Sequence, residues 1–187
     1  MFNYKYKMPA VTADIIPFRK KENGELEILL IKRNTEPFKD HWAFVGGHLD
    51  VDDDNSIYAC AARELFEETG IRNKYGLFFL DWFDAKDRDP RGRYITFVWG
   101  VRVHPDVVAK AGDDAEDCKW FRLKNLLEND FIKLAFDHRK ILEKCSNQMA
   151  CESIERQGSR WADEQMSKLA ETLDNWDIGN DTKTEAQ

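Results

Sequence analysis

Residues 46 to 71 have the sequence GGHLDVDDDNSIYACAARELFEETGI, and the interpretation of the chain starts from them. A glycine pair is followed by an acidic loop and by a predicted helix, which runs from about Ser56 to Thr69 and ends at Gly70. That helix carries one arginine and three glutamates, namely Arg63, Glu64, Glu67 and Glu68. Carboxylates this close on one helix repel one another unless cations neutralise them. The stretch therefore predicts a divalent metal site.

The helical repeat places the glutamates beside the face that is predicted to pack on the core. The predicted core stripe consists of Tyr58, Ala62, Leu65, Phe66 and Thr69. Arg63 lies one turn before Glu67 and can hold its carboxylate by a charge-assisted hydrogen bond. The glutamates lie towards the carboxyl end of the helix, where the macrodipole opposes anions, and this disfavours the alternative of a solvated acidic surface. Clustered carboxylate oxygens favour Mg²⁺ or Mn²⁺ over zinc.

The composition limits the classes of function. With 187 residues the chain is long enough for one domain with a buried core. A net charge of −7 argues against broad binding to nucleic acids or anionic membranes, but it allows phosphorylated ligands whose charge metal ions screen. The four cysteines show no zinc-site spacing, and no apolar run approaches the roughly 20 residues of a membrane span. We expect a cytoplasmic protein with reduced thiols and with neither a nucleic-acid nor a membrane partner.

Three strands are predicted before the helix at 56–69, at 10–18, 25–33 and 42–45, and three after it, at 76–83, 93–103 and 118–121. An amphipathic helix is predicted at 134–145 and a second one at about 153–176, followed by a disordered tail. The second helix has a narrow apolar seam, formed by Met166, Leu169, Leu173 and Trp176. This seam packs either on the domain or on a second copy of the chain.

Two groups of arginines are candidates for phosphate binding. Arg33 ends the second predicted strand, where it is either a solvated charge or a contact to a ligand phosphate. Arg88, Arg91 and Arg93 bring three guanidinium groups together in an otherwise acidic chain. Because a guanidinium donates two parallel hydrogen bonds to phosphate oxygens, this loop is either a phosphate clamp or a solvated charged turn.

The stretch 47–71 resembles the Nudix box, in which a glycine, five residues, a glutamate and seven residues precede Arg-Glu-U-x-Glu-Glu-x-Gly-U, with U apolar. Residues 63–71, RELFEETGI, match the second half at every position. The first half is two residues longer than the family spacing, and Asn55 stands where the family has its isolated glutamate. Either Asp53 or Asp54 of the longer loop is expected to take that place.

Two further segments resemble the Nudix branch that cleaves ADP-ribose or regulates NAD metabolism: RDPRGR at 88–93 and LAFDH at 134–138. The resemblance implies an α/β fold, the Nudix α/β/α sandwich with a mixed curved sheet and a C-terminal helical extension. We expect a Nudix domain at 1–149 and a C-terminal helix with a flexible tail at 150–187. The implied reaction is hydrolysis of a nucleoside diphosphate linked to another moiety, with ADP-ribose giving AMP and ribose 5-phosphate as first choice. The resemblance also suggests a homodimer.

The resemblance implies roles for individual residues as well. The implied ligands of Mg²⁺, or of Mn²⁺, are Gly47, Glu64, Glu67 and Glu68. The implied phosphate-binding residues are Arg33, Arg88 and Arg91. Arg63 is expected to orient Glu67, and the catalytic base is either Glu68 or Glu116. Two alternatives stay open: hydrolysis of another nucleotide (NADH, a dinucleoside polyphosphate or a modified nucleoside triphosphate), and a non-catalytic sensor of ADP-ribose.

Overall fold

The computed structural model describes residues 4–72, 76–111 and 115–155, and for 115, 116 and 153–155 it describes the backbone alone. In chain order its elements are β1 (Ala10–Lys20), β2 (Leu26–Arg33), β3 (Trp42–Ala43), β4 (Val45–His48), α1 (Ile57–Thr69), β5 (Phe78–Phe83), β6 (Tyr94–Arg102), β7 (Ala115–Arg122), α2 (Leu123–Glu128) and α3 (His138–Glu155). All the predicted strands are present, with bounds that shift by a few residues. The short helix α2 was not predicted.

The described strands form one mixed sheet in the order β3-β2-β1-β6-β5, with β4 added to β1 and β7 added to β2. The central pair, β1 and β6, is parallel, and the remaining neighbours are antiparallel. The sheet therefore has its longest strand, β1, at the centre, flanked by β2, β4 and β6. The prediction of a mixed sheet is confirmed.

Helices cover both faces of the sheet, and a separate core lies under each. On the α1 face the buried side chains include Ala13, Ile15, Leu29, Cys60, Leu65 and Val101. On the α3 face they include Ile16, Phe18, Ile28, Val98, Leu142 and Met149. Alternate residues of β1 and β6 contribute to opposite cores because successive strand side chains point to opposite faces. This arrangement is the predicted α/β/α sandwich. No helix of the described residues is both long and apolar enough to pass through a lipid bilayer.

The bounds of α1 follow from local signals at both of its ends. The side chain of Ser56 caps the first turn by accepting a hydrogen bond from the Ala59 amide at 3.1 Å. Gly70 ends the helix in the left-handed conformation, at φ 67°, and its amide donates to the Phe66 carbonyl at 2.8 Å. The predicted helix is therefore confirmed at both ends.

The predicted core stripe of α1 is wrong in part. Leu65 and Thr69 are buried as expected, together with Cys60 and Ala61, which were not predicted. Tyr58 and Phe66 instead remain 41% and 46% exposed. The small side chains of Cys60 and Ala61 face the sheet directly, so the helix is rotated and its aromatic rings lie along its flanks. The Tyr58 ring packs edge-on against Trp99, at 5.5 Å between ring centroids.

The helix predicted at 134–145 begins later than expected, at His138. The residues before it form a turn in which the Ala135 amide donates to the Trp42 carbonyl at 2.8 Å and Phe136 has a φ of 50°. That positive φ is incompatible with a right-handed helix, so the helix can start only afterwards. Helix α3 then continues to Glu155, across the predicted division at 149/150, which stays a prediction. Apart from residues 153–155, the second predicted helix and the tail lie outside the described residues.

Candidate active site

Arg63 is the centre of the site and holds three carboxylates. Its Nε and Nη2 atoms donate to Asp54 at 3.1 and 2.8 Å. Its Nη1 donates to Glu64 at 2.8 Å and to Glu67 at 2.9 Å, and Nη2 also reaches the His48 carbonyl at 3.2 Å. The expected hydrogen bond from Arg63 to Glu67 is therefore present. All five N–H donors of a guanidinium lie in one plane, which is why a single arginine can orient several carboxylates at once.

Asp54 supplies the carboxylate that the acidic loop contributes to this cluster. Its side chain is 4% exposed, and it also accepts a hydrogen bond from the Asp50 amide at 2.8 Å. The hydrogen bonds from Arg63 lower the pKa of Asp54 to about 2, so it is ionised at neutral pH. Of the two candidates for the missing box glutamate, Asp54 is the one in contact with Arg63. The longer loop thus folds so that an aspartate reaches the position that Asn55 cannot fill.

Gly47 lies against the carboxylate of Glu64. A β-carbon at Gly47 would overlap that carboxylate, so this position requires the absence of a side chain. Glu64 is 14% exposed, and its burial raises the pKa of its carboxyl group while the hydrogen bond from Arg63 lowers it. Burial is the larger effect, so the net shift is upward. The raised pKa means that the charged form of Glu64 is disfavoured. Burial removes part of its hydration, and Arg63 compensates for that loss only in part.

Gly46 and Glu68 form the second contact between the glycine pair and the helix. The Gly46 amide donates to the Glu68 carboxylate at 2.7 Å. A β-carbon at Gly46 would overlap the Ala13 carbonyl of β1, to which β4 is paired. The glycine pair thus folds back over the helix, and it fixes the position of Glu68.

The donor chemistry of this cluster fits a hard divalent cation. Glu64, Glu67 and Glu68 present carboxylate oxygens from one side of α1, and Glu67 is 54% exposed. In the described part of the chain, however, no three carboxylate, histidine or cysteine side chains converge in a group that would hold a metal ion. Arg63 and the Gly46 amide engage these carboxylates instead. The metal-ligand assignment therefore stays a prediction.

A cleft of about 270 Å³ opens beside the glycine pair. Gly46, Gly47 and Glu68 line one side of it, and its other lining residues include Arg33, Arg88, Arg91, Phe136 and His138. Three separated segments of the sequence thus bring their predicted site residues to one cleft. Of the other predicted site residues, Glu64 adjoins this lining through Gly47, and Glu67 is connected to Glu64 by Arg63.

Arg33 and Arg91 both lie close to the Phe136 ring. Their guanidinium carbons are 5.0 and 5.4 Å from its centroid, and Arg91 also lies 4.8 Å from the ring of Tyr94. Arg91 forms an ion pair with Asp89 at 2.7 Å, whereas Arg33 has no carboxylate partner within the described ranges. Burial and the charge of Arg91 lower the pKa of Arg33. Since Asp89 already neutralises Arg91, the Arg33 guanidinium is the one of the two that is better placed to attract an anion into the cleft.

Arg88, like Arg91, already has a carboxylate partner, but it is far more deeply buried than Arg91. The residue is 8% exposed, and its Nε and Nη2 atoms donate to the Asp137 carboxylate at 3.1 and 2.8 Å. Asp14 lies 3.7 Å from the same Nη2 atom. Arg88 lines the cleft, but its guanidinium group is engaged by Asp137 and Asp14, which form the floor of the cleft with it. Its predicted contact to a phosphate stays a prediction.

The sequence interpretation missed the polar residues of this floor. Asp14 of β1 accepts a hydrogen bond from the Thr96 hydroxyl at 2.7 Å and lies 3.7 Å from Nε2 of His138. His138 is 3% exposed, and its Nδ1 accepts a hydrogen bond from the Phe44 amide at 3.1 Å. Burial lowers the pKa of His138, so the ring is neutral. The signal in the sequence was Asp14 itself, a single charge inside an apolar strand, since buried charges are rare unless they are paired.

Glu116, the alternative catalytic base, lies in strand β7, which begins at Ala115 and so earlier than the strand predicted at 118–121. Strand β7 pairs with β2, and Ala115 is opposite Arg33 in the register. The backbone of this segment is therefore next to the strand that ends at Arg33. The side chain of Glu116 is outside the described part of the chain.

Comparisons with known proteins agree with this architecture. The NUDIX domain model matches residues 8–145. An ADP-ribose pyrophosphatase of Methanocaldococcus jannaschii is 40% identical over 138 residues, which cover 74% of this chain and 73% of that protein. The ADPR responsive transcriptional repressor NtrR of Acinetobacter baylyi is 35% identical over 139 residues, and the chain spans about half of its length (54%). The chain belongs to the Nudix domain family.

A solved structure of the same family has a similar fold. It is the NUDIX domain of Shewanella oneidensis NrtR in a cocrystal with ADP ribose. The superposition has a TM-score of 0.70 at 26% identity, and it covers 79% of this chain and 94% of that one. The mixed α/β fold predicted from the sequence is thereby confirmed.

Proposed function

We propose that this chain is a Nudix pyrophosphohydrolase that cleaves ADP-ribose to AMP and ribose 5-phosphate with the help of Mg²⁺. The observation that carries the proposal is the contact of Gly46 and Gly47 with Glu68 and Glu64 at the edge of a cleft that three arginines also line. Acidic metal ligands and guanidinium groups at one cleft suit a diphosphate, whose negative charge both neutralise. The 40% identical ADP-ribose pyrophosphatase supports this choice of substrate.

The carboxylates of Glu64, Glu67 and Glu68 would hold the metal ion, with the Gly47 carbonyl as a further oxygen donor. Bound there, Mg²⁺ or Mn²⁺ would lower the pKa of a water molecule and neutralise charge on the diphosphate. Arg63 keeps Glu64 and Glu67 on the same side of the helix through hydrogen bonds of 2.8 and 2.9 Å.

Arg33 and Arg91 are the proposed phosphate-binding residues. Both guanidinium groups are positioned by the Phe136 ring, and they line the cleft together with Glu68. Arg33 would make a bidentate contact to the diphosphate, and Arg91, whose Nε and Nη2 atoms hold Asp89, would contribute through Nη1. Arg88 supports them indirectly, since it anchors the loop that carries Arg91 to Asp137 of the segment before α3.

The base that removes the proton from the attacking water is either Glu68 or Glu116. Glu68 lines the cleft and is held by the Gly46 amide, which supports it as the base. A general base must lie within hydrogen-bond reach of the proton that it removes. The pH–rate profiles of Glu116→Gln and Glu68→Gln distinguish the two candidates. Only the variant that lacks the true base should lose the ionisation of the basic group from its profile. A homodimer and a cytoplasmic location remain predictions.

The test of the proposal is a hydrolysis panel with the full chain. ADP-ribose, NADH, a diadenosine polyphosphate and a nucleoside triphosphate are compared with and without Mg²⁺, and AMP is measured by chromatography. We expect metal-dependent release of AMP and ribose 5-phosphate with ADP-ribose as the preferred substrate. If another nucleotide is preferred, the assignment of ADP-ribose as the substrate is wrong, whereas the assignment of the reaction class is unchanged.

A second candidate function is supported by one specific similarity. The repressor NtrR is described as responsive to ADPR, and the chain is 35% identical to it over 139 residues. A sensor would bind ADP-ribose in the same cleft without cleaving it. Calorimetric binding of ADP-ribose with no AMP release at any Mg²⁺ or Mn²⁺ concentration would support the sensor and exclude the enzyme.

A further inference from the structure

Four aromatic side chains form a patch at the β5–β6 edge of the sheet, on the face that carries α1. The patch consists of Phe79 and Trp82 of β5 and of Phe97 and Trp99 of β6. In the strand register Phe79 is opposite Trp99 and Trp82 is opposite Phe97, and opposite residues project from the same face. The Phe79 ring centroid lies 5.4 Å from that of Trp99 and 6.4 Å from that of Phe97. The four rings are therefore one continuous aromatic patch.

The aromatic patch is incompletely covered by the described chain. Phe79 and Trp82 are 47% and 50% exposed, whereas β1 and β2 on the same face are covered by α1. Strand β5 is the last strand of the sheet order, so no further described strand lies beyond it. Contiguous exposed aromatic surface of this kind marks an interaction site more often than isolated exposed residues do. The question is which segment or partner covers it.

Helix α3 brings the C-terminal part of the chain to this edge. The side-chain amide of Gln148 donates to the backbone carbonyl of Phe79 at 3.3 Å, so the helix passes beside β5 at that point. The described chain continues from there to Glu155, a distance of about 10 Å at the rise of an α-helix. Residues 156–187 follow. They therefore start about 10 Å beyond Phe79, on the α3 side of the edge strand β5, and reach the aromatic patch by passing around that edge.

The sequence after Glu155 contains a complementary apolar surface. Its apolar residues recur at spacings of three, four and three, at Met166, Leu169, Leu173 and Trp176. Such a seam on an otherwise polar segment requires a partner surface. As a helix, the stretch from Met166 to Trp176 is about 15 Å long, which is close to the roughly 20 Å of a six-residue strand such as β5. Gly158 lies between α3 and the seam and permits a change of chain direction.

We propose that the seam of residues 166–176 docks on the aromatic patch of the same chain. The segment is tethered beside the patch, and a short tether gives an effective concentration in the millimolar range, above that of a second copy in solution. The seam supplies aliphatic and aromatic side chains to four aromatic rings, and the polar residues between them stay on the outer side. The C-terminal segment thereby completes the α1 face of the sandwich, which is a role separate from the proposed hydrolysis.

Hydroxyl-radical footprinting with mass spectrometry of the full chain tests this docking. The seam variant Leu169→Asp/Leu173→Asp is compared with the parent and with Ser167→Asp/Asn175→Asp, which adds the same charge on the opposite side of the segment. Phe131, which is 96% exposed and lies far from β5 in the sequence, serves as the internal reference. Circular dichroism confirms that all variants are folded.

We expect Phe79 and Trp82 to be protected in the parent and in the control variant. In the seam variant Phe79 should react about half as fast as Phe131, as their exposed fractions of 47% and 96% require. Equal labelling of Phe79 in the parent and in the seam variant would overturn the proposal. Protection that disappears on dilution, together with a change from dimer to monomer mass, would overturn it in favour of a second copy.

Discussion

The Asp54 carboxylate accepts hydrogen bonds from both Nε and Nη2 of Arg63, at 3.1 and 2.8 Å, and it comes from a loop nine residues earlier in the chain. The opposite side of the same guanidinium holds Glu64 and Glu67. Asp54 therefore acts on the proposed metal ligands through Arg63 and not by direct contact. It is a positioning residue, and its removal should affect activity more than its distance from the cleft suggests.

We predict that Asp54→Asn lowers turnover of ADP-ribose by about 10- to 100-fold, the range typical of residues that orient metal ligands. The amide keeps the shape of the side chain but cannot accept both hydrogen bonds as a carboxylate does. Asp53→Asn is the matched control, because Asp53 is exposed and its carboxylate does not contact Arg63. Equal losses in the two variants would contradict the positioning role.

The same ion pair predicts a pH dependence of stability. Because the pKa of Asp54 is lowered from 3.8 to about 2, its ion pair with Arg63 stabilises the fold fully above the ordinary pKa. This stabilisation is lost as the pH falls through the folded-state pKa. We expect the parent to be more stable than Asp54→Asn at pH 6 and to lose that advantage between about pH 4 and pH 2. Urea unfolding across this pH range measures the difference, and a constant difference would contradict the prediction.

Glu67→Gln and Glu68→Gln should each reduce turnover by about 100-fold or more, because each removes a charged ligand of the proposed metal ion. Neither change alters the shape of the side chain, so the melting temperature should stay close to that of the parent. The exposed Glu128→Gln, outside the cleft, is the control. Near-normal turnover in both site variants would remove these residues from the metal site.

Gly47→Ala should abolish most of the activity, because the added methyl group overlaps the Glu64 carboxylate and displaces it. Overpacking of this kind costs about 1–3 kcal/mol of folding free energy. The control is Gly24→Ala in the β1–β2 hairpin, which meets no atom but has a φ of 85°. The control should lose stability without losing activity, and so it separates the two effects. Turnover and the midpoint of urea unfolding are measured for both.

Arg33→Lys should raise the KM for ADP-ribose by about 10-fold or more, since a lysine keeps the charge but cannot make a bidentate contact to phosphate. Turnover at saturating substrate should change less, because the proposed role is binding. Arg122→Lys, at an exposed ion pair with Glu25, is the matched control. If KM is unaltered in Arg33→Lys, the phosphate contact must be assigned to Arg91 alone.

Much of the fold was predictable because its signals are local. The cap at Ser56 and the glycine at 70 define α1, and alternation along β6 places Phe97, Trp99 and Val101 on one face. The local signals predicted a wrong helix bound where a contact to a distant part of the sequence overrides them. The positive φ of Phe136 delays α3 because the preceding turn is bonded to Trp42, on a strand that lies far away in the sequence.

The sequence by itself determined the family, the mixed α/β fold, and the helix on which Arg63, Glu67 and Glu68 meet. The family motif and the helix depend on residue spacing within a few turns of that helix, and the fold class depends on the local signals of the strands and helices. The tertiary structure decided that Asp54 is the loop aspartate that contacts Arg63 and that Arg88 is neutralised by Asp137. Ion pairs between distant segments depend on which charges the fold removes from water together, because an unpaired buried charge is too costly to retain. No local pattern contains that information.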